Sequence, residues 1–192
     1  MIGFAFCGSF CTHARALAVL CALRERGEDL LPIFSPAAAG TDTRFGAAAD
    51  FTAEAEEICG RRGVYTVAEA EPLGPKTPLS ELIVCPCTGA TMARLAAGLS
   101  DTAVTMAAKA HLRRNGRILL APATNDAMGA SLANIAALYN RKNYYFLPML
   151  QDDPEKKPYS LVACFERLPE ALGAMREGKQ LLPLFREIAE KG

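Results

Sequence analysis

Net charge is the first thing the 192-residue sequence lacks: Lys plus Arg and Asp plus Glu both number 21. That balance excludes the broad electrostatic attraction by which basic proteins hold nucleic acid or anionic membrane. No apolar run reaches the roughly 18 residues that a membrane span requires. Met1 to Cys7 lack the basic region of a secretory signal and predict a first strand instead. Histidine is scarce. His13 is expected to face solvent at a helix start, and His111 to lie on the surface beside Arg113 and Arg114. A full Gly-x-Gly-x-x-Gly fingerprint is missing, so a dinucleotide is not the first ligand to expect. The seven cysteines are odd in number, in a chain that is 51% hydrophobic and able to bury a core. That points to a reducing, cytoplasmic setting rather than a disulfide framework. Their spacings are not those of a zinc site, so no metal is expected. Cys85 and Cys87, two apart on a strand, are expected on one face.

What is present is a regular alternation. Apolar runs at Ile2–Cys7, Leu30–Phe34, Leu82–Cys85, Arg117–Ala121 and Tyr144–Met149 predict strands. Helical patterns lie between them: an apolar face from Ala14 to Leu23, then about Arg44–Arg61, Ala90–Leu99, Thr102–Arg114 with Asp101 as cap, and a stretch ending near Tyr139. Val64–Val67 is a candidate short strand, and the proline-rich Glu69–Pro78 a loop. Two helices, about Leu161–Glu177 and Leu181–Lys191, are expected to finish the chain. With no repeat or linker, residues 1–192 predict a single α/β domain: a three-layer, doubly wound parallel sheet.

The central stretch is Ile83–Thr91, where an apolar strand ends in a small-residue turn and a helix begins at once. In open α/β sheets ligands bind at such strand ends. Several of them carry small or hydroxyl residues: Gly8-Ser9, Ser35, Cys87-Thr88-Gly89 and Thr124-Asn125. Converging on one edge, they would hold a phosphate through neutral donors and helix N-termini. No lysine or arginine is seen in these loops. The plain alternative is that Gly and Ser only make tight turns. Cys87 is a candidate soft neighbour of a ligand. Asn125 is a candidate donor to a substrate carboxylate, and Asp126 an ordinary helix cap.

These motifs resemble the FMN-binding flavoprotein superfamily of cysteine decarboxylases and their relatives, along nearly all of the chain. That superfamily has a Gly-Ser turn after its first strand (Gly8, Ser9) and a Ser after its second (Ser35). Its Pro-x-Ser-Ala-Asn-Thr motif falls on Pro86-Cys87-Thr88-Gly89-Ala90-Thr91, and its Pro-Ala-Met-Asn motif on Pro122-Ala123-Thr124-Asn125. Gly8-Ser9-Phe10-Cys11-Thr12, Pro86-Cys87-Thr88-Gly89 and Gln151–Pro158 are more similar to one branch of it. The members of that branch are the B subunits of a sporulation enzyme.

The resemblance implies a Rossmann-like flavoprotein fold. FMN would lie with its phosphate on Gly8, Ser9, Phe10 and Ser35, and its ring and ribityl chain against Cys87, Thr88, Gly89 and Thr91. Thr124 and Asn125 would face the substrate. It implies homotrimers or dodecamers with FMN at a subunit interface. It further implies an oxidoreductase forming pyridine-2,6-dicarboxylate from a dihydro-level precursor. A partner A subunit carrying NADP would complete it, in the mother-cell cytoplasm of a sporulating bacterium. The alternatives are an FMN-dependent cysteine decarboxylase and a non-catalytic FMN-binding subunit. The decarboxylases' histidine base has no counterpart in Val64–Leu82, and their motif Asn is Ala90 here. Both departures argue against cysteine decarboxylation.

Overall fold

The computed structural model of the chain describes residues 1–74 and 76–186. Its strands are β1 (Ile2–Phe6), β2 (Leu30–Phe34), β3 (Leu82–Cys87), β4 (Ile118–Thr124), β5 (Tyr144–Phe146), β6 (Met149–Leu150) and β7 (Leu161–Ala163). Its helices are α1 (His13–Glu25), α2 (Pro36–Gly40), α3 (Ala48–Cys59), α4 (Val67–Ala70), α5 (Gly89–Ala97), α6 (Ala103–Leu112), α7 (Ser131–Tyr139) and α8 (Leu168–Arg176). Strands β2-β1-β3-β4-β5 lie parallel in that order, while β7 pairs antiparallel with β4, and β6 antiparallel with β7.

The four long strands are apolar and buried on both faces because helices cover both sides, the condition under which parallel sheets occur. Leu17, Leu20 and Leu23 of α1 pack with Leu168, Leu172 and Met175 of α8 on one face of the sheet. Met92 and Leu95 of α5, Val104 and Ala107 of α6 and Ile135 and Leu138 of α7 fill the other. The three-layer doubly wound fold is therefore as the alternation predicts.

The differences cluster in the last third. The expected helix from Leu161 begins as β7, and α8 starts only at Leu168. Tyr144–Met149 is not one strand: β5 pairs with the first half of β4, whereas Met149 opens the antiparallel arm. Residues 181–186 are not helical. Met149 N donates to Leu184 O and Arg186 N to Met149 O, so they run along β6. The rest of that expected helix lies outside the described residues. Elsewhere β4 runs on to Thr124, so the expected 122–126 turn is partly strand. Val64 makes only an isolated bridge with Ile33, and α4 opens at Val67 behind a Thr66–Glu69 capping box. Residues 71–73 of the expected loop form a 3₁₀ turn. Thr102, not Asp101, caps α6.

Candidate functional site

The sheet has its switch point between β1 and β3. Leaving β1 the chain turns to the α1 face, and leaving β3 it turns to the α5 face. The loops diverge and leave a crevice outside the strands' carboxyl ends, which is where open α/β sheets take ligands. A cleft of about 450 Å³ lies there, within the roughly 300–1,000 Å³ typical of small-molecule sites. Gly8, Ser9 and Phe10 line it after β1, Thr88 after β3, and Thr124 and Asn125 at the end of β4. Candidates from separate strand ends thus meet in one space.

The other candidates stand behind the wall. Ser35 is buried and its Oγ accepts from Ala38 N, capping α2. Cys87 is buried in the core. Thr91 is buried, and its Oγ1 donates to Cys7 Sγ at 3.2 Å and accepts from Thr88 Oγ1 at 3.1 Å. Thr88 Oγ1 also accepts from Thr91 N, so one residue caps α5 and faces the cleft. This hydroxyl chain ties β1 to β3 across the switch point. Burial pushes the Cys7 thiol up to about 11 against these hydrogen bonds, so it stays a neutral partner. Gly89 has no room for a side chain. A Cβ there would lie 2.5 Å from Ser131 Oγ and 3.0 Å from Asp126 Oδ1.

Several expectations are corrected here. The cleft does hold cations: Arg44, from the α2–α3 loop, and Lys157, from the β6–β7 segment. Both come from sequence positions remote from the strand ends: Arg44 lies in no motif, and Lys157 lies in the Gln151–Pro158 stretch, which resemblance marked without assigning it to the cleft. Phe45, 56% exposed, also lines the cleft, with the Arg44 guanidinium 4.9 Å above its ring. Asp152 and Ser160 complete the wall beside Asn125. Cys85 and Cys87 lie on opposite faces of the sheet, because the β3–β4 register shifts between Val84 and Cys87 and reverses the alternation. Asp126 caps no helix. Its Oδ1 accepts from Thr124 Oγ1 and Ser131 Oγ, and the first of these bonds holds its carboxyl below the usual value.

His111 is buried and His13 half-buried. His13 Nε2 lies 2.8 Å from Cys7 O, and its ring stacks on Phe51 with centroids 4.0 Å apart. It borders a smaller cavity of about 250 Å³ that shares Phe10, Cys11 and Phe45 with the cleft. His111 is 2% exposed, with Nε2 3.0 Å from Arg117 O. No group of three or more His, Cys, Asp or Glu side chains among the described residues is placed to hold a metal ion. No helix among them is long and apolar enough to cross a membrane.

Comparison with known proteins adds four findings. The sequence model described as "Flavoprotein" matches residues 55–188. The B subunit of dipicolinate synthase from Bacillus subtilis (strain 168) is 38% identical over 186 residues, 97% of this chain and 93% of that protein. Among solved structures, the dipicolinate synthase B subunit from Bacillus halodurans superimposes with a TM-score of 0.88 at 38% identity, covering 97% of this chain and 95% of that one. A dodecameric FMN-dependent Ubix-like decarboxylase from Escherichia coli O157:H7 shares the fold at a TM-score of 0.62 and 22% identity, over 77% of this chain and 79% of that one.

Proposed function

Because the chain belongs to the flavoprotein family, we propose that it binds FMN in the switch-point cleft and serves as the B subunit of a dipicolinate synthase. The observation that carries this reading is the meeting of Gly8, Ser9, Phe10, Thr88, Thr124 and Asn125 in one cleft, beside an exposed aromatic ring and two cations. These residues suit FMN. The Gly8–Phe10 turn offers backbone N–H groups to a phosphate, Arg44 supplies charge, and Phe10 and Phe45 offer ring faces to a planar group. Ser35 supports that turn from behind, since Ser35 N donates to Phe6 O at the end of β1. Cys87, Gly89 and Thr91 shape the wall through Thr88 rather than by contact. Bound there, a flavin supplies a planar, redox-active ring.

The protein's own share is binding and orientation. The Asn125 amide N–H groups offer donors to a substrate carboxylate, while Leu161 and Val162 give the cleft an apolar side that excludes water. In the overall reaction, a dihydrodipicolinate-level intermediate loses a hydride and a proton to become pyridine-2,6-dicarboxylate. NADP⁺ on the partner A subunit accepts the hydride, which makes the pair an oxidoreductase. The missing dinucleotide fingerprint in this chain fits that division. By this reading the enzyme works in the mother-cell cytoplasm of a sporulating bacterium. Self-assembly is supported by the dodecameric neighbour and by the uncharged outer face of α7.

The test is the visible absorption spectrum of the purified chain before and after FMN is added, followed by desalting. A retained flavin band is the expected result. Mixing the chain with the A subunit and precursor should then yield NADPH that the A subunit alone does not. A colourless protein that leaves FMN free would remove the cofactor from this reading. Full activity of the A subunit alone would remove the catalytic role.

A further inference from the structure

We propose that Lys157 is the specificity residue of this cleft, the cation that lets it select a pyridine dicarboxylate over a monocarboxylate. The proposal rests on the dipicolinate synthase reading and names the side chain that reads the second carboxylate.

Lys157 sits in a segment whose backbone is fixed. Lys157 N donates to Asp153 O at 2.7 Å, Ser160 N to Lys157 O at 3.0 Å, and Gln151 Nε2 to Pro158 O at 2.7 Å. Its ammonium stands 3.2 Å from Asp152 Oδ2 on the cleft wall. Ser160 follows, with Oγ 3.5 Å from Asn125 Oδ1. Lys157, Asp152, Ser160 and Asn125 therefore form one polar strip beside the end of β4. Burial raises the Asp152 carboxyl, but hydrogen bonds from Ser160 and Lys157 outweigh it and hold the group below its ordinary value, so it stays ionised. The Lys157 side chain is 47% exposed. An ammonium has three N–H donors, and Asp152 occupies one.

Charge counting indicates what the others meet. Among the described residues, the charged side chains lining the cleft are Arg44, Lys157 and Asp152. With Arg44 set against the FMN phosphate and the Asn125 amide on one substrate carboxylate, Lys157 is the cation left for a second. A dicarboxylate therefore needs Lys157, shared between Asp152 and the ligand. The bland reading is a surface ion pair that contributes little to anything. The two readings differ in what loss of the ammonium does to ligand choice.

The experiment is calorimetric titration of the full chain, FMN-loaded where FMN binds, with pyridine-2,6-dicarboxylate and separately with pyridine-2-carboxylate. Wild type should prefer the dicarboxylate. Lys157→Met should weaken the dicarboxylate about tenfold, the scale of one charge-assisted hydrogen bond, and leave the monocarboxylate within about twofold. Lys157→Arg should restore most of the preference, and the flavin spectrum should be the same in all three. If Lys157→Met keeps the wild-type preference, or wild type has none, the assignment is overturned while the cofactor reading stands. If wild type binds neither pyridine acid, the dipicolinate reading itself fails and takes this assignment with it.

Discussion

Gly89 has space for a hydrogen and nothing larger. Its missing Cβ would fall 2.5 Å from Ser131 Oγ and 3.0 Å from both Asp126 Oδ1 and Thr124 Oγ1, so the start of α5 lies directly against the polar knot after β4. Gly89→Ala should cost about 1–3 kcal/mol by overpacking. Ser131→Ala deletes the nearest atom, so the double variant should be more stable than the sum of the two single losses. Urea unfolding of the four proteins measures this. A strictly additive pair would show that the contact does not set the cost. At this scale the sequence marked the residues that meet in the cleft by their small size and their place after apolar runs. It marked Asp152 and Lys157 only as part of the Gln151–Pro158 stretch and did not mark Arg44 or Ser160, because the place of all four in the cleft comes only from tertiary structure.

Helix α6 joins β4 through a histidine. Val104, Ala107, Ala108 and His111 follow the i, i+3, i+4, i+7 spacing of a buried face, so the burial of His111 was legible in the helical phase even though Arg113 and Arg114 suggest a surface. Burial holds its imidazole below the ordinary 6.5, partly opposed by the bond to Arg117 O. The unfolded chain, whose histidines titrate near 6.5, then takes up protons before the folded one does. Stability is therefore full above pH about 6.5 and is lost as pH falls below it, by at most about 1.4 kcal/mol per pH unit per histidine. His13, lowered mainly by burial too, adds in the same direction. Urea midpoints should fall between pH 7 and pH 5.5, as expected from this linkage, and His111→Gln should flatten the fall. An unchanged slope in that variant would assign the loss to other groups. The early elements were legible because long apolar strands and amphipathic helices alternate. After Tyr144 the strands shorten to two or three residues, too few to show a period, and Leu161–Ala163 merges with the apolar stripe of α8.

For the whole molecule, the fold leaves one helix dressed for a partner. The outward residues of α7 are Leu132, Ala133, Ala136, Ala137 and Tyr139, with Leu132 46% and Tyr139 40% exposed, and the helix carries no charge from Ser131 to Tyr139. A neutral apolar face of this kind suits a second copy of the same chain, because self-packing brings no like charges together. Its position also links assembly to the site. The turn from Asn125 to Ala130 leads directly from the cleft wall into α7, so a copy seated on α7 would brace the loop that carries Thr124 and Asn125. Leu132→Glu with Ala136→Glu places two charges on that face without touching the core residues Ile135 and Leu138. Light scattering after size exclusion should show the wild type as an oligomer and the double variant as a smaller species with an unchanged circular dichroism spectrum. FMN should then be lost more readily on desalting. If the mass is unchanged, α7 is not the contact. If the assembly falls apart while FMN is held as firmly as before, the cleft is complete within one chain and assembly serves another purpose.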